Sequence, residues 1–390
     1  MNDDIKIKPE DVRVDCIHFE GYRPCTYHRK YGVNCLNCSY YKKVNKKILI
    51  LKLGASGEVL RNTPLLRRIK KEYPNSRIFW LTQYPDLVPS DEIFRVYNFS
   101  ERELELIKDV EFDILYSLDK HEETGALANQ IRARVKKGFS QKEGVIIPFD
   151  KDAEKKWMYG INDYLMKENE KHYVEEIFEI CGFDFNGEEY MLPDYTIPDV
   201  RIDKNKKIIA LNTGAGKGWP LRIYSEKNWI KLAEDLLNKG YEVIITGGEK
   251  EDDKNKRIAA ISGAKYFGFF NLKEFIGLLS LADVVVTSVT FGLHAAIGLK
   301  KKIILLNNVF NKKEFYMYER GIVLEPDVPC LACYQTAEND SAYVEGKCCV
   351  KNCLDKIETE KIVDEVEKML KENPTDKIES SQEKRAFIRS

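Results

Sequence analysis

The 390-residue chain lacks long apolar runs and any excess of charge of one sign. No stretch approaches about 18 uninterrupted apolar residues, which argues against a membrane-spanning helix. The formal net charge is −1, with 62 Lys and Arg against 63 Asp and Glu, so no overall field would attract nucleic acid. The opening residues, MNDDIKIKPEDVRVD, have no apolar core of the kind a secretory signal needs. These absences predict a cytoplasmic globular protein without a nucleic-acid partner.

The ten cysteines are unevenly distributed. One set has the spacing C-x8-C-x9-C-x2-C near the start, and another has the spacing C-x2-C-x14-C-C-x3-C from residue 330 to residue 353. Clustered cysteines in a reducing compartment bind metal more often than they form disulfides. We predict structural zinc at one or both sets, with an iron–sulfur cluster or free thiols as alternatives and with His18 and His28 as further candidate ligands. The predicted metal ligands are Cys16, Cys25, Cys35, Cys38, Cys330, Cys333, Cys348 (or its neighbour Cys349) and Cys353.

Strand and helix patterns alternate along the rest of the chain. Alternation of this kind predicts an α/β fold with a parallel sheet in each half and a ligand cleft at the carboxyl ends of the strands. The pattern begins with a strand over 47–53 and a helix over 59–73. It continues with a helix over 124–135 and restarts with a strand over 206–214. The predicted organisation is a Cys-rich metal-binding segment (1–44), a first Rossmann-like domain (45–190), a linker (191–205), a second Rossmann-like domain with the second Cys set (206–354), a helix (355–372) and a polar tail (373–390).

Two glycine turns follow buried strands, and neither matches a dinucleotide-binding fingerprint. The first, GASGE, contains Gly54 and Gly57 and then presents a carboxylate, Glu58, which would repel a phosphate. The second, NTGAGKGWPLR, places Trp219 where the third glycine of G-x-G-x-x-G should fall. No acidic residue ends the strand after it, EVIITGG, so the fingerprint fails on a second count.

A third turn, TSVTFGLH at 287–294, has the composition of a phosphate site. Hydroxyls, a glycine and the imidazole of His294 surround a strand-to-helix turn, where backbone N–H groups are free to bind an anion. An ordinary helix cap with a buried histidine is the alternative. Lys217 and Arg222 follow the second glycine turn and are the basic residues placed to meet a diphosphate.

These motifs together resemble glycosyltransferase family 9, the family of ADP-heptose:lipopolysaccharide heptosyltransferases. The resemblance covers about 47–325 and rests on ILILKLGASGEVLRNTPLLRRIKKEYP, NTGAG, VIITGGEKE and VTFGLHAAIGLKKKIILL. It implies a GT-B fold, in which two Rossmann-like domains face each other across a cleft. It also implies metal-independent, inverting sugar transfer, with the donor held mainly by the second domain and the acceptor by the first. The flanking cysteine sets resemble those of a subgroup of the family.

The resemblance implies a role for individual residues. Glu58 stands at the position of the family's catalytic Asp, and we expect Lys52, Ser56 and Arg61 on the acceptor side. The family's D-[ST]-G-x-x-H motif keeps Thr290 and His294 but has Val289 and Phe291 in place of Asp and Gly. The basic phosphate ligand is Arg222 if the register is counted from the helix at Trp229, and Lys217 if it is counted from the Trp-Pro pair. The predicted donor-binding residues are Thr213, Gly214, Gly216, Lys217, Arg222, Glu251 (for the ribose), Thr290, Phe291, Gly292 and His294.

The predicted reaction follows from these roles. Glu58 would take the proton of an acceptor hydroxyl, and the leaving nucleoside diphosphate would be stabilised by Arg222, Lys217, His294 and the helix N-terminus at Thr290. The expected partners are an ADP-heptose-like donor and a saccharide or lipid-linked acceptor in cell-surface glycan synthesis, the latter bringing the enzyme to the inner face of the cell membrane. A Rossmann oxidoreductase, an iron–sulfur redox protein and a glycan- or nucleotide-binding protein without catalysis remain as alternatives, the last because of Val289 and Phe291.

Overall fold

The computed structural model describes residues 7–215, 220–334 and 352–371. The chain divides into two compact units. Unit 1 comprises the described parts of Met1–Gly54, together with Thr63–Trp157 and Ile177–Glu188. Unit 2 comprises Ala55–Asn62, Met158–Glu176 and the described parts of Glu189–Ser390. The short segment that carries Glu58 therefore belongs to unit 2, although it lies in the sequence between two parts of unit 1.

Strands and helices alternate along most of the described chain. The strands, in chain order, are Lys47–Leu51, Arg77–Thr82, Arg95–Asn98, Phe112–Ser117, Ala133–Lys142, Val145–Pro148, Ile208–Asn212, Glu242–Thr246, Val284–Ser288, Lys302–Leu306 and Gly321–Leu324 (β1 to β11). The α-helices are Thr26–Tyr31, Ser56–Asn62, Pro64–Glu72, Glu101–Lys108, Glu122–Gln130, Lys151–Ile161, Asp163–Lys167, Tyr173–Ile180, Glu226–Asn238, Asp252–Ser262, Leu272–Ser280, Phe291–Gly298 and Thr359–Lys371 (α1 to α13). Single 3₁₀ turns lie at Pro9–Asp11, Pro85–Leu87, Ser90–Glu92, Pro220–Arg222, Glu249–Glu251, Lys312–Glu314 and Cys353–Lys356.

The sheet of unit 1 has six strands in the order β3-β2-β1-β4-β5-β6. Its pairs are parallel except β5 with β6, which are antiparallel. The central strand β1 is apolar along its length, and Ile48, Leu49, Ile50 and Leu51 have no solvent exposure. A strand that is buried on both faces of a parallel sheet needs a continuous apolar run, and this run is what made β1 predictable from the sequence.

The sheet of unit 2 has five parallel strands in the order β11-β10-β9-β7-β8. β7 and β9 are neighbours, so the turns that follow Asn212 and Ser288 lie side by side at the carboxyl edge of the sheet. The two strands are fully buried, but the polar residues in the turns after them can contact one another at this edge. The predicted fold class, α/β with two parallel-sheet Rossmann-like halves, is confirmed.

Two helix predictions were wrong in their extent. The helix predicted over 59–73 is two helices, because Pro64 has no N–H to continue α2 and instead begins α3. The helix predicted over 124–135 ends at Gln130, and Ala133–Lys142 pairs with β4 as a strand. In both places the apolar spacing matched a single helix. A proline interrupted the first helix, and pairing with a neighbouring strand ended the second.

The C-terminal part of the described chain begins with a 3₁₀ turn, Cys353–Lys356, and continues in α13, Thr359–Lys371. The tail predicted at 373–390 lies outside the described residues. Among those that are described, no helix combines the length and apolar character required to cross a membrane.

Candidate active site

The turn between β9 and α12 is organised by Asn212, the last residue of β7. Its amide Nδ2 donates to the hydroxyls of Thr287 and Thr290, each at 2.9 Å. Thr290 is the N-cap of α12, and its hydroxyl accepts from the N–H of Gly292 at 3.2 Å. A methyl group on Gly292 would lie 2.5 Å from Asn212 Nδ2, so the close approach requires glycine. Sequence reasoning missed Asn212, whose signal was a polar residue ending an apolar strand.

Arg222 reaches the same turn from the 3₁₀ segment before α9. Its Nη1 donates to the carbonyl of Val289, and the hydroxyl of Ser288 donates to the carbonyl of Arg222 at 3.1 Å. Burial lowers the pKa of Arg222 to about 10, so the guanidinium is still charged at neutral pH. The positive charge of Arg222 and the positive end of α12 therefore lie together, an arrangement that favours an anion.

Glu251 and the second glycine turn lie beside each other. The Glu251 carboxylate accepts from the N–H of Gly248 at 3.0 Å, and a methyl group on Gly214 would be 3.5 Å from that carboxylate. Thr213 turns away from the glycine turn, because its hydroxyl donates to Oδ1 of Asn255 at 2.5 Å. The remaining predicted residues of this turn, Gly216 and Lys217, lie outside the described part of the chain.

The helix α2 begins at Ser56 and carries Glu58 in its first turn. The Glu58 side chain is 38% exposed, so a ligand can reach it, and its Oε1 lies 4.0 Å from Nη1 of Arg61 one turn later. Arg61 is buried, with its guanidinium carbon 3.5 Å from the centre of the Tyr173 ring. A cation fixed over an aromatic ring holds the positive charge beside the carboxylate.

The first turn of α2 packs against the first turn of α12 within unit 2. A methyl group on Gly57 would lie 2.6 Å from Cδ2 of His294 and 3.5 Å from Cα of Phe291, so only glycine allows this approach. The Phe291 ring packs against Phe275 of α11, with ring centres 5.7 Å apart. This contact places the first turn of α2 against the first turn of α12, and the Glu58 charge acts on the neighbouring His294.

His294 is buried and uncharged. Its Nδ1 lies 3.4 Å from the Tyr190 hydroxyl. Burial, with a smaller contribution from Arg61, lowers the pKa of His294 to about 3, although Glu58 acts in the opposite direction. The expected role of His294 at the leaving diphosphate stays a prediction, and the burial means that a neutral imidazole would perform it. Its imidazole can pack against α2 and take part in neutral hydrogen bonds.

Lys52 does not lie at a surface that an acceptor could contact. It is in unit 1, where its ammonium pairs with the Asp119 carboxylate, and both side chains are 2% exposed. The same carboxylate accepts from the N–H of Leu53, so Asp119 fixes the end of β1. Lys52 therefore has a structural environment, and the expected contact with an acceptor does not fit it.

The cysteine sets have different surroundings. The first set consists of free thiols that line one cavity of about 250 Å³ in unit 1. They are Cys16, Cys25, Cys35 and Cys38. In the second set, the Sγ atom of Cys353 accepts from Nδ2 of Asn308 at 3.0 Å, and Cys330 is disulfide-bonded. Cys348 lies outside the described residues. Nowhere in the described ranges do three or more His, Cys, Asp or Glu side chains gather closely enough to hold a metal ion, so structural zinc stays a prediction.

Three solved structures of similar fold are glycosyltransferases. The family 9 glycosyl transferase of Veillonella parvula has a TM-score of 0.60 and 17% identity, over 84% of this chain and 97% of that one. ADP-heptose lps heptosyltransferase II of E. coli has a TM-score of 0.59 and 15% identity, over 83% and 98%. E. coli heptosyltransferase WaaC, solved with ADP, has a TM-score of 0.58 and 15% identity, over 83% and 99%. At these identities the likeness shows the fold, and the GT-B class predicted from the sequence is confirmed. No curated protein matches the sequence.

The family comes from the sequence itself. The profile of glycosyltransferase family 9 (heptosyltransferase) matches residues 103–336, which is more than half of the chain. The match contains Asn212, Arg222, Glu251 and the turn before α12, whereas the Glu58 turn precedes it. The predicted enzyme class, a glycosyltransferase, is confirmed, and the chain belongs to glycosyltransferase family 9.

Proposed function

We propose that this chain transfers a sugar from a nucleotide-diphosphate sugar to an acceptor hydroxyl, with inversion and without a catalytic metal. The observation that carries the proposal is the contact between the first turns of α2 and α12 in one unit, since Glu58, the neighbour of Gly57, has an exposed carboxylate. An ADP-heptose-like donor is the first candidate, because WaaC of similar fold was solved with ADP. The acceptor is a saccharide or a lipid-linked saccharide.

In the proposed reaction Glu58 removes the proton of the acceptor hydroxyl. The oxygen attacks the anomeric carbon as the bond from that carbon to the diphosphate oxygen breaks, so the nucleoside diphosphate leaves with the electron pair and configuration inverts. Arg61 at 4.0 Å supports the ionised form of Glu58, which a base needs before it can accept a proton. The proton ends on Glu58 and is then released to water.

The leaving diphosphate gathers negative charge in the transition state. Arg222 and the N–H groups of the first turn of α12 are already oriented by Val289, Thr290 and Asn212, so they need not reorganise when the charge develops. Fixed donors of this kind can take the place of a metal ion at the diphosphate. Glu251 beside Gly214 is the candidate ribose ligand, since a carboxylate accepts hydrogen bonds from sugar hydroxyls. Ser56 and Arg61 are the candidate acceptor contacts.

The test of the base is Glu58→Gln, which keeps the shape of the side chain and removes its ability to accept a proton. We expect transfer, measured as nucleoside diphosphate released with acceptor present, to fall by at least about 100-fold. ADP affinity, measured by calorimetry, should stay within about twofold. Glu101→Gln is the matched control, because Glu101 is an exposed carboxylate in the first turn of α4. Near-normal turnover by the Glu58 variant would show that another group is the base.

A panel of nucleotide sugars identifies the donor. Each is incubated with the wild-type chain and with Glu58→Gln, and released nucleoside diphosphate is measured. We expect one donor, ADP-linked heptose first, to be consumed by the wild-type chain alone. Binding of a nucleotide without consumption of any donor, in the presence of saccharide acceptors, would instead favour the non-catalytic binding protein.

A further inference from the structure

The Cys-rich segment at the start of the described chain is attached to the sheet of unit 1. Arg77, the first residue of β2, donates from Nη2 to the carbonyls of Cys16 at 2.6 Å and Phe19 at 2.8 Å. Cys16 also forms a β-bridge with Lys43, and the Tyr41 hydroxyl donates to Asp15 at 2.8 Å. The segment is therefore held in a defined position from both of its ends.

The four thiols of this segment surround one cavity. It has a volume of about 250 Å³, and its wall includes all four cysteines and two histidines: Cys16, Cys25, Cys35, Cys38, His18 and His28. Apolar side chains, among them Val12 and Val33, complete the wall. All four thiols are free, although a sequence span of only 23 residues brings them to the same cavity. Thiols gathered in this way without forming disulfides are the donor set of a metal centre.

Three polar groups in the cavity wall have positions that suit a thiolate-held metal centre. The N–H of His28 points to the sulfur of Cys25 at 3.5 Å, and N–H donors to sulfur are a usual feature of thiolate-held centres. The His28 ring meets the Val33 carbonyl at 2.9 Å through Nδ1, which fixes the ring. The Nε2 atom of His18 is buried and has no hydrogen-bond partner in the structure. A buried polar atom of this kind indicates a group that the protein atoms do not supply.

The position of the thiols around a cavity favours a cluster over a single ion. Four sulfurs around one tetrahedral zinc would lie about 3.8 Å from one another, since each Zn–S bond is about 2.3 Å. Among the described residues, no three side chains of metal-ligating type are grouped so that they could hold one ion, and the four thiols instead line a cavity. Iron–sulfur clusters are also held by four thiolates, but the ligands bind different iron atoms and stand further apart.

We propose that Cys16, Cys25, Cys35 and Cys38 hold a [4Fe–4S] cluster in this cavity. Each thiolate binds one iron atom, and the apolar wall shields the cluster from water. The cluster joins four points of the segment between residues 16 and 38, so it stabilises a region with few regular elements. This site lies in unit 1 and does not depend on the proposed sugar transfer.

The test uses the full chain, purified without oxygen. Iron, acid-labile sulfide and zinc are counted for the wild type, Cys35→Ser, Cys38→Ser and the control Cys181→Ser, whose buried thiol lies in unit 1 and is not in the cavity wall. We expect the wild type and Cys181→Ser to exceed Cys35→Ser and Cys38→Ser by about four iron and four sulfide per chain. Sulfide is the discriminating measurement, since a single-iron site in the second Cys set would contain none.

Other results would overturn the proposal. Zinc at about one atom per chain that disappears in Cys35→Ser would assign a single ion to the cavity. Equal sulfide in the wild type and Cys35→Ser, with loss of sulfide in Cys333→Ser, would place a cluster at the second set. Where a variant does not fold, the wild type is stripped of metal and then treated, without oxygen, with sulfide and equal amounts of ferrous and ferric iron. Recovery of the brown absorbance is expected, and its failure would contradict the proposal.

Discussion

At the scale of single residues, Arg222 contributes a positive charge to the turn before α12. Its charge is buried, and it lies beside the N-terminus of α12, which also carries partial positive charge. The position at which the family motif has an acidic residue is Val289 here. Arg222 instead binds the Val289 carbonyl. The two positive groups therefore favour an anionic ligand more strongly than either would alone.

Replacing Arg222 tests this electrostatic role. In Arg222→Ala we expect nucleoside diphosphate binding to weaken by about 10- to 100-fold, since hydrogen bonds to a charged group contribute about 1.5–3 kcal/mol. Arg222→Lys should lose less affinity because it keeps the charge. The control is Arg257→Ala, an exposed arginine of α10 that pairs with Glu226. Calorimetry with ADP gives the affinities, and an unchanged affinity for Arg222→Ala would shift the role to Lys217.

The residues of the site differ in how far the sequence could predict them. Glu58, Thr290 and Arg222 follow glycine turns or precede helices, and such positions can be read from local spacing. The neutral state of His294 could not be predicted, because it results from burial against α2, a helix that ends 41 residues before the family match begins. Asn212 was missed for a similar reason, since its partners are brought to it only by the pairing of β7 with β9.

At the scale of elements, the packing of α2 against α12 decides where the carboxylate lies. The helices approach so closely at Gly57 that a side chain there has no room. The break at Pro64 limits α2 to seven residues, and the chain returns to unit 1 at Thr63. A single uninterrupted helix, as the apolar pattern predicted, would not have been free to assume this separate position. The strands were easier to predict, because a continuous apolar run is visible in the sequence without knowledge of the neighbouring strands.

Gly57→Ala tests whether this packing matters for catalysis. The added methyl group would lie 2.6 Å from Cδ2 of His294, so α2 or the imidazole must move. We expect kcat to fall by about 10-fold or more and the free energy of unfolding to fall by about 1–3 kcal/mol, as for other overpacked positions. Gly54→Ala is the matched control, because its methyl group would meet Gln83 at an ordinary 3.5 Å. Wild-type kcat in Gly57→Ala would show that the position of α2 is not critical.

At the scale of the whole molecule, stability depends on keeping two histidines uncharged. His172 stacks on Tyr316 with ring centres 4.5 Å apart, and burial with Arg61 lowers its pKa to about 4. Burial and Arg61 act on His294 in the same direction. In the unfolded chain both imidazoles have the ordinary pKa of about 6.5. Between that value and the folded values, only the unfolded chain takes up protons, so acid favours unfolding.

The direction and size of the pH dependence follow from these pKa values. The stability that the neutral histidines contribute is present in full above pH 6.5. It is lost as the pH falls towards 4 for His172 and towards 3 for His294. For His294 the loss between pH 6.5 and pH 5 is about 2 kcal/mol, at 1.36 kcal/mol per pH unit. Urea unfolding at pH 7.5, 6.5, 5.5 and 5 should therefore show a smaller acid loss for His294→Gln than for the wild type. His121→Gln, at an exposed histidine of unit 1, should keep the wild-type slope. Equal slopes for His294→Gln and the wild type would mean that His294 takes up its proton in the folded protein, which would make its imidazole available as a cation at the anion-binding turn after all.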